Sequence, residues 1–205
     1  MKKLVNHEIK RAFSIMGEFL RDKKTVGEIV VYGGSAILLQ FDWRSSTNDV
    51  DATIVSDGNH GLVRQAADRA ASELGLGRSW LSEAVSQYTS KEGDRSGVAL
   101  AGMYPETGNP GLRVVVAKPE YLLAMKLSAL QRDAAANRDF LDATRLAIEL
   151  GIDSVDALEK AYLAFFPGDR LPDRARLRLP ELESAIKTAI AAGRGKVRDA
   201  THDVG

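Results

Sequence analysis

Residues 29–54 read IVVYGGSAILLQFDWRSSTNDVDATI, and this order governs the reading of the rest of the chain. Glu28–Tyr32 is a short β-branched run bounded by Gly27 and Gly33, the pattern of a buried strand. Gly33-Gly34 makes a turn, and Ser35–Gln40 (SAILLQ) opens a helix. Asn48–Val55 then alternates, with Asp49, Asp51 and Thr53 on one face and Val50, Ala52 and Ile54 on the other. That is the signature of a strand with one wet side. Main-chain N–H groups at a strand-to-helix turn point outward, glycine lets an anion approach them, and the helix start adds a favourable dipole. Gly33, Gly34 and the hydroxyl of Ser35 therefore form a candidate phosphate-binding turn, although turn geometry alone also accounts for the two glycines. It is not a dinucleotide fingerprint, because no third glycine follows at the required offset. It is not a P-loop, because the Gly-Lys-Ser/Thr ending is absent.

Asp49 and Asp51, at i and i+2, are expected to project from one strand face. Both ionised, they repel by roughly several kcal/mol at low effective dielectric. A cation held between them relieves the repulsion, and so does full solvation, which leaves two readings: a metal pair or a wet strand edge. Hard oxygen donors in this arrangement suit Mg²⁺, which takes one or two carboxylates and completes its shell from substrate phosphates. Arg44 and Thr47 stand just before the pair. Tyr32 and Trp43 flank it, where a base could stack; packing into the core is the competing reading for both.

The composition narrows the classes. The 205 residues contain no cysteine, so there is neither a disulfide framework nor a thiolate zinc site. His7, His60 and His202 lack metal-ligand spacing. The 28 basic and 28 acidic residues cancel, which excludes a whole-molecule field for nucleic acid but not a local patch. No apolar run approaches the roughly 20 residues of a membrane span. The opening MKKLVNHEIK has no signal-peptide core, so a cytoplasmic location is expected.

Outward from the motif, Val5, Ile9, Phe13, Met16 and Leu20 predict an amphipathic helix over residues 4–22. Leu62–Leu74 reads as an alanine-rich helix. Residues 75–96 are less regular and are anchored by Trp80-Leu81. Val98–Met103 and Leu112–Ala117 read as strands joined through PETGNPG, a hairpin loop. Pro119 opens a helix to about Arg132, and further helices are predicted over 137–150, 154–166 and 180–192, with the last dozen residues fraying. The fold class is α/β (α+β): a small mixed sheet with helices in residues 1–118, then a helical region in 119–205.

Gly34-Ser35 followed by Asp49-Val50-Asp51 resembles the core of the DNA polymerase β superfamily of nucleotidyltransferases. The string Arg44, Thr47, Asp49, Asp51 is similar to the variant in bacterial toxin-type members, including those of abortive-infection systems. AMKLSALQRDAAANRDFLDATRL (124–146) resembles the lysine-then-Arg-Asp helical signature of that group. The resemblance spans roughly residues 28–150. It implies a Mg²⁺-dependent transfer of a nucleoside monophosphate from an NTP to an acceptor hydroxyl. Ser35 would contact the triphosphate, Asp49 and Asp51 would hold the metal, Lys126 would meet phosphate charge, and Asp139 or Asp142 would complete or brace the site.

The residues themselves leave other readings open. Lys126 lies in an apolar helix, where lysines commonly snorkel to solvent. Arg138 and Asp142, at i and i+4, suit a surface ion pair, and Asp139 and Asp142 share a face. The superfamily usually carries a third carboxylate on a later central strand, yet neither LRVVVA nor VALAGM contains an acid. A catalytically inactive nucleotide- or partner-binding module of the same fold is therefore the alternative, and small-molecule nucleotidylation, as of an aminoglycoside, a weaker one. Between Arg170 and Arg198 eight basic residues outnumber three acids, a patch that suits an RNA backbone as well as a solvated helix face. By resemblance, a tRNA 3′ end is the expected acceptor and a cognate antitoxin protein the expected partner.

Overall fold

A computed structural model describes residues 3–55, 58–132 and 136–200, the side chains of 136–137 and 194–200 excepted. The chain divides into two compact units, Met1–Lys118 and Pro119–Gly205.

The first unit begins with α1 (Asn6–Asp22), whose first turn is closed by Glu8 accepting from the Val5 main chain at 3.2 Å. Its periodic face buries Ile9, Phe13, Met16 and Leu20 completely, each worth about 1.5–3 kcal/mol by transfer. Leu4 does not join the helix as expected, because it forms an antiparallel bridge with Thr47.

Strand β1 (Gly27–Val31) leads into α2 (Gly33–Gln40), and β2 (Val50–Val55) returns antiparallel to β1. Helix α3 (His60–Leu74) follows and ends on Gly75 in the left-handed region at φ 64°. The irregular stretch predicted next holds three small elements: β3 (Leu81–Ser82), a 3₁₀ turn (Ala84–Tyr88) and α4 (Lys91–Ser96). Trp80 anchors it as expected, 3% exposed, with its indole N–H donating to the Ala67 carbonyl at 3.0 Å. The hairpin β4 (Val98–Tyr104) and β5 (Leu112–Ala117) completes a five-stranded mixed sheet of order β3-β2-β1-β5-β4. Strand β1 is central, antiparallel to β2 and parallel to β5.

One sheet face, with Ile29, Val31, Val114 and Val116, packs under α1 and α3. By register the opposite face carries Glu28, Val30 and Tyr32 of the β1 segment beside Asp51 and Thr53 of β2. Tyr104, on the helix side, meets the Phe13 ring edge-on at 5.5 Å. Its phenol is pushed above its ordinary range by burial and, secondarily, by Glu106.

The second unit contains α5 (Pro119–Ala129), α6 (Ala136–Glu149), α7 (Val155–Phe165), the short α8 (Asp173–Arg176) and α9 (Leu179–Ala200). Helix α5 packs against α6, α7 and α8, and α9 lies against α6 and α7. Ser154 caps α7 by accepting from the Ala157 N–H at 3.4 Å. Helix α5 stops at Ala129, short of Arg132, where the next main-chain bonds tighten to three-residue closures. Helix α9 runs past Ala192, because its alanine, lysine and arginine carry the helix through Gly193 and Gly195. Helix α9 thus takes in the first part of the stretch expected to fray; residues 201–205 lie outside the described residues.

A side chain at Gly17 of α1 would strike the main chain of Tyr104 and Pro105 (its Cβ would lie 2.8 Å from the Pro105 nitrogen). Gly→Ala inside a helix normally stabilises by about 0.5–1 kcal/mol. Here the sign reverses: Gly17→Ala is expected to destabilise by about 3 kcal/mol, the upper end of overpacking costs, read as a lowered denaturation midpoint.

Candidate active site

The site is built where β1 ends. The Tyr32 N–H donates to the Asp51 carbonyl at 2.8 Å, fixing the start of α2 against β2. Gly33 takes φ +61°, and a Cβ there would stand 2.7 Å from Asp51 Oδ2. The glycine turn and the Asp51 carboxylate are therefore neighbours. At Gly34 a Cβ would overlap the Arg44 guanidinium, with its Cζ at 2.8 Å. Arg44 thus lies along the turn, itself half-buried. The first N–H groups of α2, at Gly33, Gly34 and Ser35, precede the first intrahelical acceptor and are the donors the turn has to offer.

Several contacts hold this corner. Asn6 donates to the Leu38 carbonyl at 2.9 Å, and Gln40 donates to the carbonyls of Ala36 at 2.9 Å and Ala117 at 3.0 Å. On the far side Val50 donates to the Trp80 carbonyl at 2.6 Å, while Val50 and Asp51 pair with Leu81 and Ser82 of β3. Arg64 of α3 secures β3 through the Leu81 carbonyl and Glu83, both at 3.0 Å.

The predicted residues fall as follows. Asp51 and Asp49 are half-buried, but Asp49 sits in a bend just before β2 rather than on the strand. The Leu4–Thr47 bridge fixes the preceding loop, and the ladder begins only at Val50. Ser35 is 1% exposed, and its hydroxyl donates to the Tyr32 carbonyl at 2.9 Å, so its proton is already committed. Thr47 is buried at 5%. Trp43 stacks on Phe41 at 5.3 Å. Tyr32 is 1% exposed, and its phenol donates to Asp94 Oδ1 at 2.9 Å. Asp94, on α4, is one of two acids in KEGDRS (Glu92 and Asp94), a charged stretch that gives no sign of which side chain reaches the sheet.

In the helical unit Lys126, Asp139 and Asp142 come together. Lys126 is 9% exposed, and its Nζ reaches Asp139 Oδ1 at 2.6 Å and Asp142 Oδ2 at 2.9 Å. Arg132 adds a contact to Asp139 at 3.6 Å. Lys126 therefore does not snorkel, because two carboxylates of α6 supply inside the fold what solvent would supply outside it. Asp139 and Asp142 share a face as the i, i+3 spacing requires, and Asp142 turns to Lys126. Of the basic residues further on, Arg170 pairs with Asp173 and Arg178 with Glu181, both at 3.4 Å, and Lys187 pairs with Glu183. That last hydrogen bond holds the Glu183 carboxyl below its usual range.

Residues 98–203 match the family described as "Nucleotidyl transferase AbiEii toxin, Type IV TA system". The chain belongs to the AbiEii nucleotidyltransferase toxin family. The matched span takes in Lys126, Asp139 and Asp142 and leaves the glycine turn and the Asp49–Asp51 pair outside it. Among solved structures, an antigenic nucleotidyltransferase-like protein from Paracoccidioides brasiliensis is similar at 16% identity and a TM-score of 0.47, over 91% of this chain and 95% of that one. No curated protein matches. The chain is thus a nucleotidyltransferase of the toxin-antitoxin class, and the small mixed sheet expected of it has five strands. No helix of the described residues is long and apolar enough to cross a membrane.

Removing one member of a buried ion cluster strands the others and costs about 3–5 kcal/mol. Lys126→Met is expected to lose stability in that range by urea denaturation, whereas Arg132→Met, on the half-exposed side of the cluster, should cost under about 1 kcal/mol.

Proposed function

We propose that this AbiEii-family chain transfers a nucleoside monophosphate from an NTP to an acceptor hydroxyl, with Mg²⁺ held by Asp49 and Asp51. The observation that carries the reading is the seat of the Asp51 carboxylate on the Gly33 turn, an anion-binding donor set beside a hard oxygen ligand. Among the described residues no three acidic, histidine or cysteine side chains gather to hold a metal. Two carboxylates that leave the remaining positions to substrate phosphates and water are what Mg²⁺ ordinarily accepts, so the residues present fit the ion. When bound, it would supply charge neutralisation at the α-phosphate and the departing pyrophosphate.

The chain's own residues do the positioning. The N–H groups of Gly33, Gly34 and Ser35 bind phosphate oxygens, and the committed Ser35 hydroxyl stiffens the turn rather than reaching outward. Arg44, lying along Gly34, adds a guanidinium at the same phosphates. Asp49 and Asp51 would act on the α-phosphate through the Mg²⁺ they hold and not by direct contact; the acceptor oxygen attacks in line, its bond to phosphorus forming as the bond to pyrophosphate breaks, and its proton passes to solvent. Positioning and charge supply most of the acceleration in such chemistry. The acceptor is an RNA 3′ end, a tRNA by family resemblance, favoured by the basic excess between Arg170 and Arg198. The chain acts as the toxin of a pair whose antitoxin is a separate protein, in the cytoplasm.

Incubating the chain with each labelled NTP, Mg²⁺ and total RNA should label RNA. Asp51→Ala and Asp49→Ala should each cut the rate at least about 100-fold, in line with the loss of a principal electrostatic group, and chelation should abolish it. Label bound but never transferred would return the non-catalytic reading.

Gly33→Ala tests the turn separately. A left-handed φ costs a side-chain-bearing residue about 1–2 kcal/mol, and its methyl would displace the Asp51 carboxylate. Transfer should fall at least about tenfold while the melting temperature drops by only a few degrees. Unchanged turnover would remove the turn from the site.

A further inference from the structure

Asp94 has no part in the site as built so far, yet the fold delivers it there. Asp51 and Thr53, two apart on β2, face the same way, and Tyr32 stands across from Asp51 on the neighbouring segment. The Tyr32 phenol oxygen lies 3.4 Å from Thr53 Oγ1 and donates to Asp94 Oδ1 at 2.9 Å. Tyr32 is 1% exposed, so this donor is a fixed part of the core, whereas Asp94 is exposed. Helix α4, which carries Asp94, is capped by Ser90 accepting from the Gly93 N–H at 3.0 Å. A buried phenol thus aims an exposed carboxylate at the sheet face that bears Asp51, displaced along β2 by about two residues, or ~7 Å.

Two observations limit what a carboxylate can do there. It does not complete a metal set with Asp49 and Asp51, since no such triad exists among the described residues. When ionised it only accepts hydrogen bonds, so its partner in a bound nucleotide must be a donor. Triphosphate oxygens are not donors. The nucleotide is taken to run from the Gly33 turn along β2 toward Thr53; with its α-phosphate at Asp51, an offset of about two strand residues is of the order of the span across one sugar.

The geometry points to Asp94 as the residue that accepts from the ribose hydroxyls of the bound nucleotide, making the site selective for ribonucleotides over deoxynucleotides. This rests on the nucleotide-binding reading of the Gly33–Asp51 corner. A carboxylate receiving a sugar hydroxyl is a device nucleotide sites use elsewhere. Tyr32 is the positioning residue: its phenol restrains the carboxylate in the orientation the sugar meets.

The test compares each NTP with its 2′-deoxy and 3′-deoxy counterparts on the full chain, by kcat/KM for transfer and, separately, by equilibrium binding. The unaltered chain should prefer at least one of the two hydroxyls by about tenfold to a hundredfold, the range of a hydrogen bond to a charged group. Asp94→Ala should collapse that ratio to within about threefold by lowering the ribonucleotide value most, Tyr32→Phe should reduce it partway, and Asp94→Asn, which retains an acceptor oxygen, should keep part of it. A loss shared equally by ribo- and deoxy-substrates, or an unaltered chain that does not discriminate, overturns the assignment. If transfer is never seen but binding discriminates and Asp94→Ala abolishes that discrimination, the transferase reading falls and the ribose assignment stands. If transfer is seen with an unchanged ratio, the reverse holds.

Discussion

A single main-chain hydrogen bond, from the Tyr32 N–H to the Asp51 carbonyl at 2.8 Å, joins the two halves of the proposed site in the first unit. It lies where the β1–β2 ladder runs out and α2 begins, so it sets the distance between the glycine turn and the acids. With that register, the Asp51 carboxylate fills the space a side chain at Gly33 would need. A one-residue slip of β2 would exchange its faces, sending Asp51 under α1 and α3 and bringing Val50 and Ala52 to the turn. The buried alternation of Val50 and Ala52 forbids it.

Much of this was legible in the sequence because it is local. The β-branched run before Gly33, the alternation in NDVDATI and the turn residues of PETGNPG each announce an element over a few residues, and the elements occur where those signals stand. The long-range arrangement was not legible. That Asp49 falls in a bend follows from Leu4 bridging Thr47 and from Trp80 receiving the Val50 N–H, contacts that span 43 and 30 residues of sequence. Asp94 was missed for the same reason: its importance comes from a phenol 62 positions away. The Ser35 hydroxyl adds what a motif does not show: its proton goes back three residues to the Tyr32 carbonyl.

The sheet divides its labour between faces. The face under α1 and α3 is filled with Ile29, Val31, Val114 and Val116 and supplies the hydrophobic stabilisation. The other keeps Asp51 and Thr53 only half-buried and carries Tyr32. Two like charges near a sheet edge cost little while they stay partly hydrated. Away from that face, α1 lies close against the β4–β5 hairpin at Gly17 and Gly111, where no side chain would fit.

Lys126 shows how a family signature and a packing requirement come to share residues. In the helical unit its ammonium is held between Asp139 and Asp142 and is nearly closed to solvent. To neutralise a phosphate directly it would have to abandon two buried carboxylates, a change about as costly as deleting the lysine. The lysine and both acids lie within the span matched by the AbiEii family, and in this chain their first effect is to lock α5 to α6. A substitution at any of the three therefore bears on stability, whatever part it also plays in transfer.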